Sequence, residues 1–249
     1  MGLLLRLAGP LQSWGEHSVF GHRDTLRFPT RSGLIGIFAA AEGRPRGTPL
    51  DDYDSLRLTI RIDRPGIIMR DYHTIGGGYP RELTVPTAEG KRRQPGSETI
   101  LTHRYYCSDA VFVVAVEGPS ERTDAIARAL ESPYWPVYLG RRSCPPDQPL
   151  LLNGDVDDPV VHLLTRVPVA RRPPRPDTPY ELDFVTEGSR GDAESVAELT
   201  DVPQTFSRLE RKFRTRTVSI APRPVPAELW SKATNAYHDA LIEYIQEAR

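Results

Sequence analysis

Residues Ala110–Val116 read AVFVVAV, seven consecutive side chains with no polar group among them. A strand with one wet face alternates apolar and polar residues. A strand that is apolar at every position has to be covered on both faces. The run is shorter than an ordinary helix and rich in β-branched residues, so Asp109–Glu117 is predicted as a strand at the centre of a sheet. The rest of the chain must then supply something to pack on each side of that sheet.

Gly2–Ala8 (GLLLRLA) is a second apolar strand, ended by Gly9-Pro10. Gln12–Phe28 has no period and reads as a loop carrying His17, His22, Arg23 and Arg27. Thr30–Ala41 reads as a helix: Thr30 caps it, and Leu34, Ile37, Phe38 and Ala41 share one face. Gly33 and Gly36 lower its propensity, which implies close packing against a sheet or a ligand. Leu56–Ile62 alternates, with Arg57, Thr59 and Arg61 on one face. Glu121–Glu131 is an amphipathic helix with Ile126 and Leu130 inward, and Pro136–Leu139 is a short strand before the loop Gly140–Pro149. The order is the βαββαβ pattern of an α+β, ferredoxin-like domain over residues 1–150. An insertion at about 65–108 interrupts it. Its stems, Arg70–Thr74 and Thr102–Tyr106, flank Gly76–Gly78 and a basic tip of Lys91, Arg92 and Arg93, which predicts an antiparallel finger. Residues 151–249 read as a smaller β-rich region. It has a Pro/Arg loop at Arg171–Pro179, strands at Tyr180–Thr186 and Thr215–Ile220, and a helix over Ala227–Ala248. The apolar stripe of that helix is Leu229, Trp230, Ala233, Tyr237, Leu241 and Tyr244.

Charge narrows the function. The 249 residues carry 32 Lys+Arg against 33 Asp+Glu, which excludes a uniformly basic coat for nucleic acid but not a local basic face. Only Lys91, Lys212 and Lys232 are lysines. An arginine excess suits planar, bidentate phosphate contacts, and a GC-rich genome yields it equally well. Two cysteines, Cys107 and Cys144, make neither a disulfide framework nor a zinc site and suit a reducing cytosol. No targeting segment or membrane-length apolar stretch is read. There is no P-loop, GxSxG, HExxH or pre-helix GxGxxG, and no pair of histidines at metal-ligand spacing on one helix, so neither cofactor nor metal is expected. His73 and His103 flank the finger. Were they to meet across its stem they would make an acid–base pair for a metal-independent ribonuclease.

Three clusters remain. Thr30-Arg31-Ser32-Gly33 opens a helix, where free N–H groups and Arg31, with Arg23 and Arg27 upstream, make a phosphate clamp; a capped helix with solvated arginines is the plainer reading. Gly140-Arg141-Arg142-Ser143 follows the short strand, and Tyr138 before it either stacks a base or is half-buried core. Arg104, Tyr105 and Tyr106 interleave a cation with aromatics opposite Tyr72 and His73, a composition for unstacked RNA or for ordinary cross-strand pairs. The aromatic sheet motif of an RRM is absent, so any RNA binds on loops and finger.

Four segments together resemble the CasD family: Leu5–Gly15 (LRLAGPLQSWG), Arg27–Gly36 (RFPTRSGLIG), Arg70–Thr74 (RDYHT) and Tyr138–Pro145 (YLGRRSCP). CasD is a subunit of the type I-E CRISPR surveillance complex, Cascade. The resemblance runs to about Pro149. It implies a RAMP-superfamily fold (RRM-like, with a β-hairpin thumb) and a non-catalytic role: holding the 5′ handle of the CRISPR RNA, capping the backbone filament, and contacting the backbone subunits and the large PAM-recognising subunit, with target DNA reached only indirectly and no membrane partner. Arg27, Arg31, Arg141 and Arg142 would then hold handle phosphates and Tyr138 a handle base. Arg104, His73 and the tip Lys91, Arg92 and Arg93 would steady RNA near the thumb, and Trp14 could equally be structural. Residues 1–145 carry 19 Lys+Arg against 16 Asp+Glu, the sign this role requires. A repeat-cleaving endoribonuclease is the alternative.

Overall fold

The computed structural model describes every residue except 17, 20, 88, 95, 189, 190, 192, 193, 208–210, 248 and 249. His17 and the last residue of the expected C-terminal helix, Ala248, therefore lie outside the described residues. β1 (Gly2–Ala8) is followed by three two-residue strands, β2 (Leu11–Gln12), β3 (Ser18–Val19) and β4 (His22–Arg23), and by α1 (Arg31–Ala41). Then come β5 (Arg57–Arg64), the hairpin β6 (Ile67–Ile75) and β7 (Ile100–Ser108), β8 (Val111–Glu117), α2 (Ser120–Glu131), β9 (Leu151–Val156) and α3 (Pro159–Thr165). The chain ends with β10 (Glu181–Glu187), β11 (Ser195–Phe206), β12 (Arg211–Pro224) and α4 (Thr234–Glu247).

The main sheet runs β11-β12-β10-β5-β8-β1-β9. Its β5-β8-β1-β9 portion is the ferredoxin-like arrangement, with β8 hydrogen-bonded on both edges: Leu5 pairs with Val114 and Ile60 pairs with Val114. The fourth strand of that unit is Leu151–Val156, beside β1, and not the expected Pro136–Leu139, which is irregular. Pro136 and the turn at Gly140 leave too short a run to pair, and Leu139 is instead fully buried as an anchor. The sheet continues through β10, whose Phe184, Val185 and Thr186 pair with Arg61, Ile60 and Thr59 of β5.

Both faces of β8 are covered, as its composition requires. Phe112, Val114 and Val116 join Leu3, Leu5, Leu7, Leu34, Phe38 and Ile126 under α1 and α2. Val113 and Ala115 join Leu4, Leu163, Trp230, Tyr237, Leu241 and Tyr244 under α3 and α4. The face bearing Thr59 and Arg61 is thereby buried: Arg61 is ion-paired with Asp63 at 2.6 Å, and its Nη1 donates to the carbonyls of Leu163 (2.6 Å) and Val167 (2.9 Å). The C-terminal helix starts at Thr234, later than expected. Ala227–Leu229 form a single 3-10 turn and Trp230 turns into the core. The strand β11 was not anticipated, because its charged and polar residues and Pro203 mask the alternation.

The insertion is a hairpin as expected, β6 and β7 pairing from Ile67↔Ser108 to Ile75↔Ile100, eight residue steps or about 27 Å of ladder. β4 adds in parallel to β7, setting His22 beside His103 and Arg23 beside Arg104.

Candidate functional site

The loop after Leu139 is pinned before it can present anything. Ser13 donates its N–H to the Leu139 carbonyl at 3.0 Å, and Leu139 and Cys144 close a turn with N–H···O distances of 2.8 Å (Leu139 to Cys144) and 2.9 Å (Cys144 to Arg141). Gly140 sits at φ +91°, where a Cβ would lie 1.8 Å from the Ser13 carbonyl oxygen, so only glycine fits. The turn sends Arg141 back across the base of the finger. Its Nη1 donates to the Tyr105 carbonyl and its Nη2 to the Arg23 carbonyl, each at 3.0 Å, and its guanidinium lies 4.6 Å from the Tyr106 ring centre. Arg142 is left exposed, with Arg23 and the half-buried Arg104 nearby on the paired strands β4 and β7.

This loop forms one side of a groove of about 1380 Å³ that runs along α1. Its lining brings together Thr30, Ser32, Gly33 and Gly36 at the start of α1, Arg44 and Arg46 just after it, Tyr138, Arg141 and Arg142 of the Gly140 loop, and Phe206, Arg211 and Phe213 of β11 and β12. The two glycines differ. A Cβ on Gly33 would come within 2.7 Å of the buried Trp14 ring, whereas one on Gly36 would meet nothing within 4 Å. Trp14 is thus structural, its Nε1 donating to Gln12 Oε1 at 3.0 Å. Arg44 is neutralised by Glu42 and Asp52; its hydrogen bond to Asp52 raises its pKa against the lowering effect of burial.

The structure corrects the reading of Arg31. It is buried, and its guanidinium donates to Glu187 (2.6 Å) and to the carbonyls of Leu56 (3.0 Å) and Tyr53 (2.7 Å). The start of α1 is occupied too: the Arg31 N–H donates to Asp201 at 2.6 Å and the Gly33 N–H to the Thr30 hydroxyl at 3.2 Å. The anion that the helix end favours is a carboxylate of the chain itself. Arg216 completes a four-charge network in which Arg31 and Asp201 are buried and Arg216 and Glu187 half-buried, meeting Asp201 at 2.6 and 2.8 Å and Glu187 at 2.8 Å. Burial alone would lower the Arg216 pKa; those carboxylates raise it on balance.

The other expected residues are dispersed. Arg27 is exposed ahead of α1 and outside the lining of the groove. Arg104 donates from Nε to Thr102 Oγ1 at 3.3 Å. Lys91 is exposed, Arg92 donates to the Thr84 carbonyl at 2.5 Å, and Arg93 is half-buried; all three belong to the far end of the finger. His73 pairs across the ladder with Thr102, and Tyr72 with His103. Alternation then puts His73 and His103 on opposite faces of the hairpin, so they do not meet. His73 lies 3.3 Å from Asp71 instead, while His103 lies between Tyr72 (ring centres 5.4 Å apart) and His22 (5.2 Å). Among the described residues no group of three His, Cys, Asp or Glu side chains is placed to hold a metal ion.

The sequence reading missed Arg46, Trp135, Phe206, Arg211 and Phe213 as lining residues. Trp135, three residues before Tyr138 in the chain, was the one signal the sequence offered; its 41% exposure is visible only in the fold.

Three comparisons bear on this geometry. The family model described as CRISPR-associated protein (Cas_Cas5) matches residues 2–219. The chain is 39% identical over 186 residues, 67% of its length and 77% of the relative's, to the "CRISPR system Cascade subunit CasD" of Escherichia coli (strain K12). Among solved structures it resembles a chain of a "CRISPR RNA-guided surveillance complex" with a TM-score of 0.91 and 49% identity, covering 99% of this chain and 100% of that one. It also resembles one titled "Crystal structure of Cas protein", with a TM-score of 0.63 and 31% identity over 93% and 98% of the two chains.

Proposed function

The chain belongs to the Cas5 family of CRISPR-associated proteins, and from that premise we propose that it is a non-cleaving, RNA-binding subunit of a type I-E Cascade complex in the cytoplasm. In this reading it holds the 5′ handle of the CRISPR RNA in the groove along α1 and caps the backbone filament. It contacts the backbone subunits and the large PAM-recognising subunit, and touches target DNA only through them.

The observation that carries the reading is the placement of Arg141. By bridging the carbonyls of Tyr105 and Arg23 it gathers the finger base, β4 and the Gly140 turn into one side of one groove. Arg23 and Arg142 then offer planar donors to successive phosphates, and Tyr138 offers a ring to an unstacked base. Arg27 and Arg104 flank this set. His73 and the tip Lys91, Arg92 and Arg93 extend it along the finger, where RNA leaving the groove would be steadied. The assembly context is supported by the similarity to a Cascade subunit and to a chain of a surveillance complex. The ribonuclease alternative lacks its acid–base pair, because the hairpin register separates His73 from His103.

The test is the salt dependence of binding to single-stranded repeat RNA. A phosphate-gripping groove gives a falling log–log plot, and Arg142→Ala makes it shallower by about 0.7, the contribution of one phosphate contact on a single strand. A flat plot, unchanged in Arg142→Ala, would make the groove a protein interface. Incubation with the labelled repeat in EDTA should leave it intact; cleavage lost in His73→Ala or His103→Ala would restore the enzyme.

A further inference from the structure

We propose that the end of the β11–β12 hairpin is the second jaw of the groove, a nucleobase-binding wall formed by Phe206, Arg211 and Phe213. This rests on the groove holding RNA and adds what the β11–β12 part of its lining does there. Phe206 pairs across the hairpin with Arg211, and Phe213 stands two residues further along β12, so the three side chains project from one face. All three line the same groove as Tyr138 and Arg142, from a different element of the fold. Arg211 is exposed and Phe213 is half-buried outside both hydrophobic cores, while the half-buried Phe206 packs in part against the core under α1 and α2. A cation paired across the hairpin with one phenylalanine and two residues from another, in one groove with a tyrosine and a second arginine, suits one chemistry: an unstacked base taken by an aromatic face with its phosphate on a guanidinium. Duplex RNA keeps its bases stacked and offers nothing to such a wall, so the ligand class is single-stranded RNA.

The wall is anchored by hydrogen bonds further down the hairpin. Register shifts between Leu199 and Val202 and between Pro203 and Thr205 bend the hairpin. Asp201, inside the first of those shifts, accepts the Arg31 N–H and so ties the hairpin to the start of α1, while Arg216 of β12 pairs with it within the hairpin. The Thr200 N–H donates to Glu16 Oε1 at 2.8 Å, joining it to the segment that leads into β3. Arg31 is therefore a positioning residue: it helps hold the network that aims the jaw instead of touching the ligand.

The test is fluorescence anisotropy of the full-length chain with a 5′-fluorescein single-stranded RNA of about ten nucleotides. Phe213→Leu keeps apolar volume and removes the ring; it should weaken binding about tenfold, and Phe213→Tyr should restore it. Arg211→Ala should weaken binding and flatten the salt dependence by about 0.7. Duplex RNA should not compete. If Phe213→Leu and Arg211→Ala bind as the parent does while Arg142→Ala is weakened, the second jaw is wrong and the groove reading stands. If Arg142→Ala is unaffected as well, both fall. A loss in Phe213→Leu that Phe213→Tyr does not repair would assign the ring a packing role and overturn the proposal, as would loss of a partner subunit with RNA binding intact.

Discussion

Arg31, Arg141 and Arg142 carry the same guanidinium in environments that give it different work. Arg31 is sealed among Glu187 and two backbone carbonyls, Arg141 spans two carbonyls at the base of the finger, and Arg142 faces the groove. Asp201→Asn should therefore lower unfolding free energy by about 1–3 kcal/mol in chemical denaturation, because it removes the buried one of the two carboxylates paired with Arg216 and leaves only Glu187. Arg141→Ala should cost about 1–2 kcal/mol and lower the melting temperature, through two lost charge-assisted hydrogen bonds and a ring contact. Arg142→Ala, solvent-facing, should change stability by less than about 0.5 kcal/mol. The sequence marked all three arginines and the Thr30 cap, since caps and charges are local. It could not show that Asp201, 170 residues away, fills the helix end that Thr30-Arg31-Ser32-Gly33 opens.

Among the elements, the turn at Gly140 and the α3–α4 contact are the ones whose geometry makes measurable demands. Gly140→Ala places a methyl group on the Ser13 carbonyl at a positive φ, and should cost about 2–3 kcal/mol with loss of RNA affinity beyond that of Arg142→Ala. His162 Nδ1 and the Tyr244 hydroxyl, 2.8 Å apart, tie α3 to α4. Burial, and then the Arg166 charge, hold the His162 pKa below its ordinary 6.5. The unfolded chain thus binds the proton first, so the contribution is fully present above pH 6.5 and is lost as pH falls through the lower, folded value. The melting temperature should drop on acidification from pH 7 to pH 5 by more in the parent than in His162→Gln. The finger, α1, α2 and the central strands were legible because their periods are local and uninterrupted. The fourth strand was not: Leu151–Val156 contains Asn153, Gly154 and Asp155 and looks like a loop until β1 lies beside it.

Across the whole molecule, the apolar run of β8 demanded two covering layers, and the chain supplies one from each part. The helices α1 and α2 cover one face, and α3 with α4 the other. The expected boundary near residue 150 divides the order of the chain, while β10 pairs with β5 across it. We propose that residues 1–150 and 151–249 unfold together; calorimetry should show one transition, and two well-separated ones would mean independent units. The C-terminal part also contributes Phe206, Arg211 and Phe213 to the lining of the groove, which no reading of the first 150 residues could foresee. Ultraviolet crosslinking of the assembled complex, followed by peptide mapping, tests the central claim most directly. Guide-RNA crosslinks should concentrate on Trp135, Tyr138, Phe206 and Phe213, which line the groove; crosslinks confined to the separate cavity lined by Arg57 and Thr217, or none on this subunit, would contradict it.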